Sequence, residues 1–211
     1  MRRLLIMTIL LFAIVILITS CKKDDSNTTV VPPPTNSGST LCDGNGKTTY
    51  FPLDSANSWT FIYTLNNVTQ TVVPNLYVNG YVMHGGVKYV DIQDKANWLY
   101  ASHLIIREDT TNQNIYRYNT INYKEYLEVP SSPTLNQSWA ISSGAVTRKV
   151  TNLSATLTTS SCSYKSLLQI TEYNDTIVQG IYYYKKGLGM VALIVLGTNS
   201  SDYKLSTVKL K

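Results

Sequence analysis

The residues of this chain that invite chemistry are two histidines, His84 and His103, and a few acidic pairs. A zinc site needs three or four nitrogen, sulfur or oxygen ligands, and neither histidine has partners at ligand spacing. His84 precedes Gly85-Gly86, as in an oxyanion loop, but the Gly-x-Ser-x-Gly nucleophile turn that would go with it is absent. His84 therefore reads as a turn histidine. His103 falls opposite Trp98 and Leu104 in an alternating segment and reads as exposed. The acidic pairs Glu108-Asp109 and Glu125/Glu128 fall at loop or strand-edge positions. A pair that cleaves glycosidic bonds is defined by its separation in space, which spacing along the chain does not supply. Asp43-Gly44-Asn45-Gly46-Lys47 begins like a calcium loop. Lys47, however, puts an ammonium where the fifth ligand belongs, and Thr48 stands where the sharp turn needs glycine. Gly187-Leu188-Gly189 with Ala192 has dinucleotide-loop spacing, yet β-branched Val191, Ile194 and Val195 follow where that motif needs a helix. The sequence thus offers no catalytic set, no metal site and no cofactor.

The remaining chemistry belongs to cysteine. Met1-Arg2-Arg3 is a short basic start, and Leu4 to Ile18 is almost wholly apolar. As a helix that run spans about 22 Å, short of the about 30 Å bilayer core but right for a secretory signal. It closes on Leu17-Ile18-Thr19-Ser20-Cys21, which resembles a lipobox. Small residues there let a peptidase reach the bond before the cysteine, and the thiol takes a diacylglycerol. Two or more acyl chains, at roughly 0.8 kcal/mol per buried methylene, hold a protein on a bilayer. The expectation is a signal peptide over residues 1–20 and a lipid-anchored, palmitate-type Cys21. Lys22-Lys23-Asp24-Asp25 resembles the charged run that marks surface-directed lipoproteins in one group of Gram-negative bacteria, which implies an outer-membrane address and surface exposure. With Cys21 acylated, Cys42 and Cys162 remain as an even pair in an oxidising compartment. A disulfide between them would be worth roughly 4–5 kcal/mol by chain entropy, provided the Cα atoms approach within about 7 Å. The alternative is two separate thiols.

Composition excludes more than it assigns. Removing the signal takes Lys and Arg from 18 to 16 against 13 Asp and Glu. So small an excess is no nucleic-acid footprint, which needs clustered basic residues. Sixteen tyrosines suit strands and also suit surfaces that stack on partners.

Residues 21–49, rich in Ser, Asn, Thr and Gly with Pro32-Pro33-Pro34, read as a lipidated tether that has too little to bury to become ordered. Residues 50–211 read as one β-rich domain. Period-two alternation recurs: Trp59, Phe61, Tyr63 and Leu65 share a face, as do Trp98, Tyr100, Ser102, Leu104 and Ile106, and Leu168 and Ile170. Asn66-Asn67, Asn79-Gly80, Gly85-Gly86, Ser142-Ser143-Gly144 and Asn174-Asp175 read as turns. About ten short strands imply an all-β, antiparallel fold, either a sandwich or a strongly curved, barrel-like sheet.

Two stretches carry a resemblance. The domain opens Tyr50-Phe51-Pro52-Leu53 with Ser58-Trp59, and closes Tyr182-Tyr183-Tyr184-Lys185-Lys186-Gly187-Leu188-Gly189-Met190-Val191. Leu135-Asn136-Gln137-Ser138-Trp139 adds a middle tryptophan turn. Together they are similar to a loose group of bacterial surface lipoproteins without assigned activity. Asn57 stands where the group's opening has glycine. Trp59 and Trp139 each follow a polar turn and enter a strand, so both read as structural anchors, and Gly187 and Gly189 flank Leu188 in a tight hairpin or bulge. Asp54-Ser55-Ala56, Asp109-Thr110-Thr111 and Asp175-Thr176-Ile177 resemble an O-glycosylation pattern of exported bacterial proteins.

The resulting expectation is a non-enzymatic binding or structural lipoprotein, held to a bilayer through Cys21, with an unknown protein or glycan ligand. The alternatives are a lipid or lipoprotein carrier with an apolar cavity in a curved sheet, and a hydrolase with dispersed acids.

Overall fold

Branched and aromatic side chains spaced two apart favour extended backbone, because they pack well on a pleated surface. The computed structural model is accordingly all-β. It describes residues 41–71, 74–95, 103–141 and 145–211. The signal, Cys21, most of the tether, the Trp98-Tyr100-Ser102 alternation and the Ser142-Ser143-Gly144 turn lie outside those residues. The strands are β1 (Ser58–Leu65), β2 (Val68–Thr69), β3 (Asn75–His84), β4 (Val87–Asp94), β5 (His103–Glu108), β6 (Ile115–Asn119), β7 (Lys124–Val129), β8 (Ser138–Ala140), β9 (Val146–Thr158), β10 (Ser163–Asn174), β11 (Ile177–Lys185), β12 (Gly189–Val195) and β13 (Ser201–Lys209). Every pairing is antiparallel, in the order β7-β6-β5-β4-β3-β1-β13-β12-β11-β10-β9-β8, with β2 on β1. This is the curved, barrel-like alternative rather than the sandwich.

The alternation in β1 is realised: Trp59, Phe61 and Tyr63 are buried, with half-buried neighbours between them. The core continues round the sheet through Leu76, Val90, Ile92, Ile106, Val150, Ile170, Tyr184, Val191 and Leu205. Phe51 wedges between Trp59 and Tyr184, ring centroids 6.2 and 5.9 Å away. The Trp59 indole donates to the Leu188 carbonyl at 2.6 Å. Gly187 and Gly189 both have positive φ, +72° and +99°. A Cβ on Gly189 would sit 3.1 Å from the Trp59 indole nitrogen, so the tryptophan needs a glycine there as well as a left-handed turn.

The two ends of the sheet, β7 and β8, are joined by side chains rather than by a backbone ladder. Trp139 of β8 donates its indole N–H to the Leu127 carbonyl of β7 at 2.7 Å. Behind it, Arg148 of β9 is almost completely buried with Glu128 of β7, at 2.8 Å. Arg148 also reaches Glu172 at 3.0 Å and lies over the Tyr182 ring. Arg117 stands 3.5 Å from the second Glu128 oxygen, close enough for charge attraction but too far for a good hydrogen bond.

Two sequence expectations are corrected. Asn79-Gly80 is not a turn: β3 runs through it, and the extra residue is absorbed as a bulge between Val78 and Gly80. Continued pairing of Tyr81 to His84 with β4 outweighs the local turn signal. The glycine place in the opening motif falls on Ala56, not Asn57. Ala56 has φ +72°, whereas Asn57 is fully buried and accepts from the Lys211 N–H while donating to the Pro52 carbonyl. Residues 41–49 lie against the sheet through the hydrogen bonds of Leu41 with Tyr164 and of Asn45 and Thr49 with Gly187. Residues 41–49 lack apolar bulk, so composition hides their docking, but Cys42 is disulfide-bonded to Cys162, with Cα atoms 5.6 Å apart.

Candidate functional site

Alternation along β4 splits its side chains between two faces. Val90 and Ile92 enter the core. Tyr89, Asp91 and Gln93 point to the other side of the sheet. Tyr89, Asp91 and Ile105 of β5 are nonetheless buried there, covered by polar and aromatic side chains of β3, β5, β6 and β7.

Two networks make up this outward face. In the first, Arg107 grips Glu125 with two parallel bonds of 2.5 and 2.9 Å and also reaches Asp109 at 3.1 Å. Such bidentate geometry is the strong form of the ion pair. The Tyr89 hydroxyl donates to the same Glu125 carboxylate at 2.8 Å. Arg107 and Tyr89 hold the Glu125 carboxyl below its ordinary range. Burial, aided by the adjacent carboxylate, pushes the Tyr89 phenol up to about 12. His84 and Tyr118 stack at 4.1 Å, and both rings pack on Tyr89. Tyr116 lies under the Arg107 guanidinium.

In the second network, the Asp91 carboxylate is 2.8 Å from Nδ1 of His103 and accepts from the amides of Asn79 and Gln93, each at 3.0 Å. The Tyr77 hydroxyl donates to Gln93 at 2.7 Å. Burial would raise the Asp91 pKa, but the His103, Asn79 and Gln93 bonds outweigh it and hold the carboxyl low. The His103 side chain is 48% exposed, and its Nδ1 is fixed by the aspartate. The imidazole can thus share a hydrogen bond with an incoming group.

The sequence placed His103 on the exposed face correctly and His84 at a turn. It did not show that the two histidines share one face with four tyrosines, because their spacing along the chain reflects hairpin lengths. The acidic pairs are not brought together. Glu125 lies outside, while Glu128 points into the interior and is consumed by Arg148. Asp109 caps its own turn through the Thr111 and Asn112 amides. Ser55, Thr110 and Thr176 of the three Asp-hydroxyl patterns are exposed, the latter two in hairpin turns. Among the described residues no three metal-ligating side chains converge.

No family model and no curated protein matches the sequence. Among solved structures, a Bacteroides fragilis protein described as exported and YmcC-like in fold aligns with TM-score 0.42 and 9% identity, over 76% of this chain and 99% of its own. A Parabacteroides distasonis protein described as a lipoprotein aligns with TM-score 0.40 and 11% identity, over 77% and 99%. Likeness this distant bears on neither ligand nor role.

Proposed function

We propose that this chain is a bacterial outer-membrane lipoprotein whose β-domain binds a partner, protein or glycan, on the outward face of β3–β7, without catalysing a reaction. One observation supports this reading above the others: a sheet face turned away from the core holds an organised set of tyrosines, histidines and paired charges. Rings with a polar edge supply contact area at small entropic cost, the usual composition of a recognition surface. Pairing within each network pre-orients the side chains, which lowers the cost of binding.

The address rests on the sequence. The apolar leader ends in a lipobox-like segment at Cys21, and acylation there would fix the chain to a bilayer, facing the surface as Lys22-Lys23-Asp24-Asp25 implies. Among the described residues, Trp59, Phe51, Phe61, Tyr184 and the Arg148 cluster fill interior positions, which does not favour the carrier alternative. The test has two parts. Mass spectrometry of native protein reads the acyl mass on an N-terminal Cys21. Glycan arrays and surface-protein pull-downs with the mature chain should give saturable binding that Tyr118→Ala and Arg107→Ala abolish. Binding untouched by both substitutions would move the site elsewhere.

A further inference from the structure

We propose that the Cys42–Cys162 disulfide is a strain-relief strap, which diverts part of the pull of the membrane tether from β1 to the β9–β10 turn. The inference rests on the anchor reading of Cys21.

Antiparallel order puts the start of β1, the β9–β10 turn and the β11–β12 turn at one end of the sheet. The incoming chain is fastened at that end. The Tyr164 hydroxyl donates to the Leu41 carbonyl at 3.0 Å. The Asn45 N–H donates to Gly187, and the Gly187 N–H donates back to Thr49, at 3.0 and 2.8 Å. Gly44 abuts Gly187 so closely that a Cβ would stand 2.9 Å from its carbonyl carbon.

These contacts are a handful of hydrogen bonds on an exposed loop. A pull at residue 41 that they alone resisted would strip residues 43–49, then draw on the buried Tyr50, Phe51 and Asn57 and through them on Ser58. Ser58 is the first residue of β1, paired with Lys209 of β13 and Tyr77 of β3. Force applied there loads the ladder one rung at a time, the weakest way to load a sheet. β1 is also the strand that joins the two arms of the sheet, so its loss would open the fold at its middle. The disulfide changes that path. Cys162 lies in the turn between the two longest strands, of 13 and 12 residues, beside the buried Tyr164 ring. Tension then divides between β1 and a hairpin that must yield as a unit. The covalent loop from 42 to 162 contains β1 to β9, so those strands cannot be drawn out in sequence.

Single-molecule pulling on the mature chain tests this. One handle is attached at the N-terminus and the other to a peptide tag inserted between Ile121 and Asn122 in the β6–β7 turn. The Cys42→Ser, Cys162→Ser double variant should show its first rupture shifted to lower force. Its fully extended path should be longer by about 130 Å, from the 42-to-121 rather than the 162-to-121 route at about 3.5 Å per residue. Gly44→Ala, which loosens the docked loop but keeps the bond, should rupture as wild type does. If the double variant does not fold, wild-type chains reduced with dithiothreitol after tethering make the same comparison. An unchanged first-rupture force with the longer path would overturn the strap, and so would equal path lengths. Neither result touches the acylation of Cys21, which mass spectrometry reads separately.

Discussion

Arg148 and Glu128 are each about 1% exposed and 2.8 Å apart, where the sheet closes without a backbone ladder. Two charges taken out of water gain little net stability from each other, but removing one strands the other. Arg148→Met should therefore cost about 3–5 kcal/mol, while Arg148→Met with Glu128→Leu should recover most of it. Urea denaturation of the three proteins checks this, and a double variant no more stable than the single one would refute it. Gly189→Ala is a second residue-scale case. It puts a Cβ against the Trp59 indole at φ +99°, so about 1–3 kcal/mol should be lost. Gly46→Ala, at φ +76° with open space around it, should lose only about 1 kcal/mol. Equal losses at the two positions would mean that the tryptophan contact contributes nothing.

At the scale of elements, the seam between β7 and β8 is the part of the sheet least tied by backbone. Its closure depends on the Trp139 indole bond to Leu127 and on the Arg148 cluster behind it. Trp139→Phe keeps most of the apolar contact and removes the donor. The expected outcome is a global loss of about 1 kcal/mol with a larger local effect: amide exchange in β7 and β8 quickens while that of β1 and β13 does not. Uniform quickening would show that the seam opens only with the whole sheet. The outward face has the opposite character. Its inner strands, β4 to β6, pair with a neighbour on each side, so their side chains sit on a firm support, as a recognition surface requires.

For the whole molecule, the paired carboxylates set the acid limit. Asp91, Asp109, Glu125 and Glu128 all have their pKa held below the ordinary value in the fold. Each contributes stability that is present above its unfolded value, about 4, and that is lost as pH falls through the lower folded value. Tyr89 and Tyr182 are pushed up to about 12, against about 10 unfolded. Their contribution is present below about 10 and is lost as pH rises through the folded value. A denaturant midpoint measured against pH should therefore be level between about 5 and 9 and fall on both sides. A midpoint that rises on acidification below pH 4 would contradict the pairing described for these four groups.

What the sequence determined by itself was what period two and local punctuation can encode. The alternation of Trp59, Phe61 and Tyr63 fixes an inward face, Asn66-Asn67 and Gly85-Gly86 supply the positive φ that tight hairpins need, and Gly187-Leu188-Gly189 marks a turn that only glycine makes cheaply. An all-β, antiparallel reading follows from those signals, because side-chain direction in a strand depends on nothing beyond the chain itself. The tertiary structure decided everything that joins distant strands. Asn79-Gly80 became a bulge because β4 continued the ladder past it. Glu128 and its neighbour Val129 are both buried because a bulge shifts the register beside β6. His84 met Tyr118, and Arg148 met Glu128, because the sheet curls, and curvature is a property of many strands together that no local spacing records.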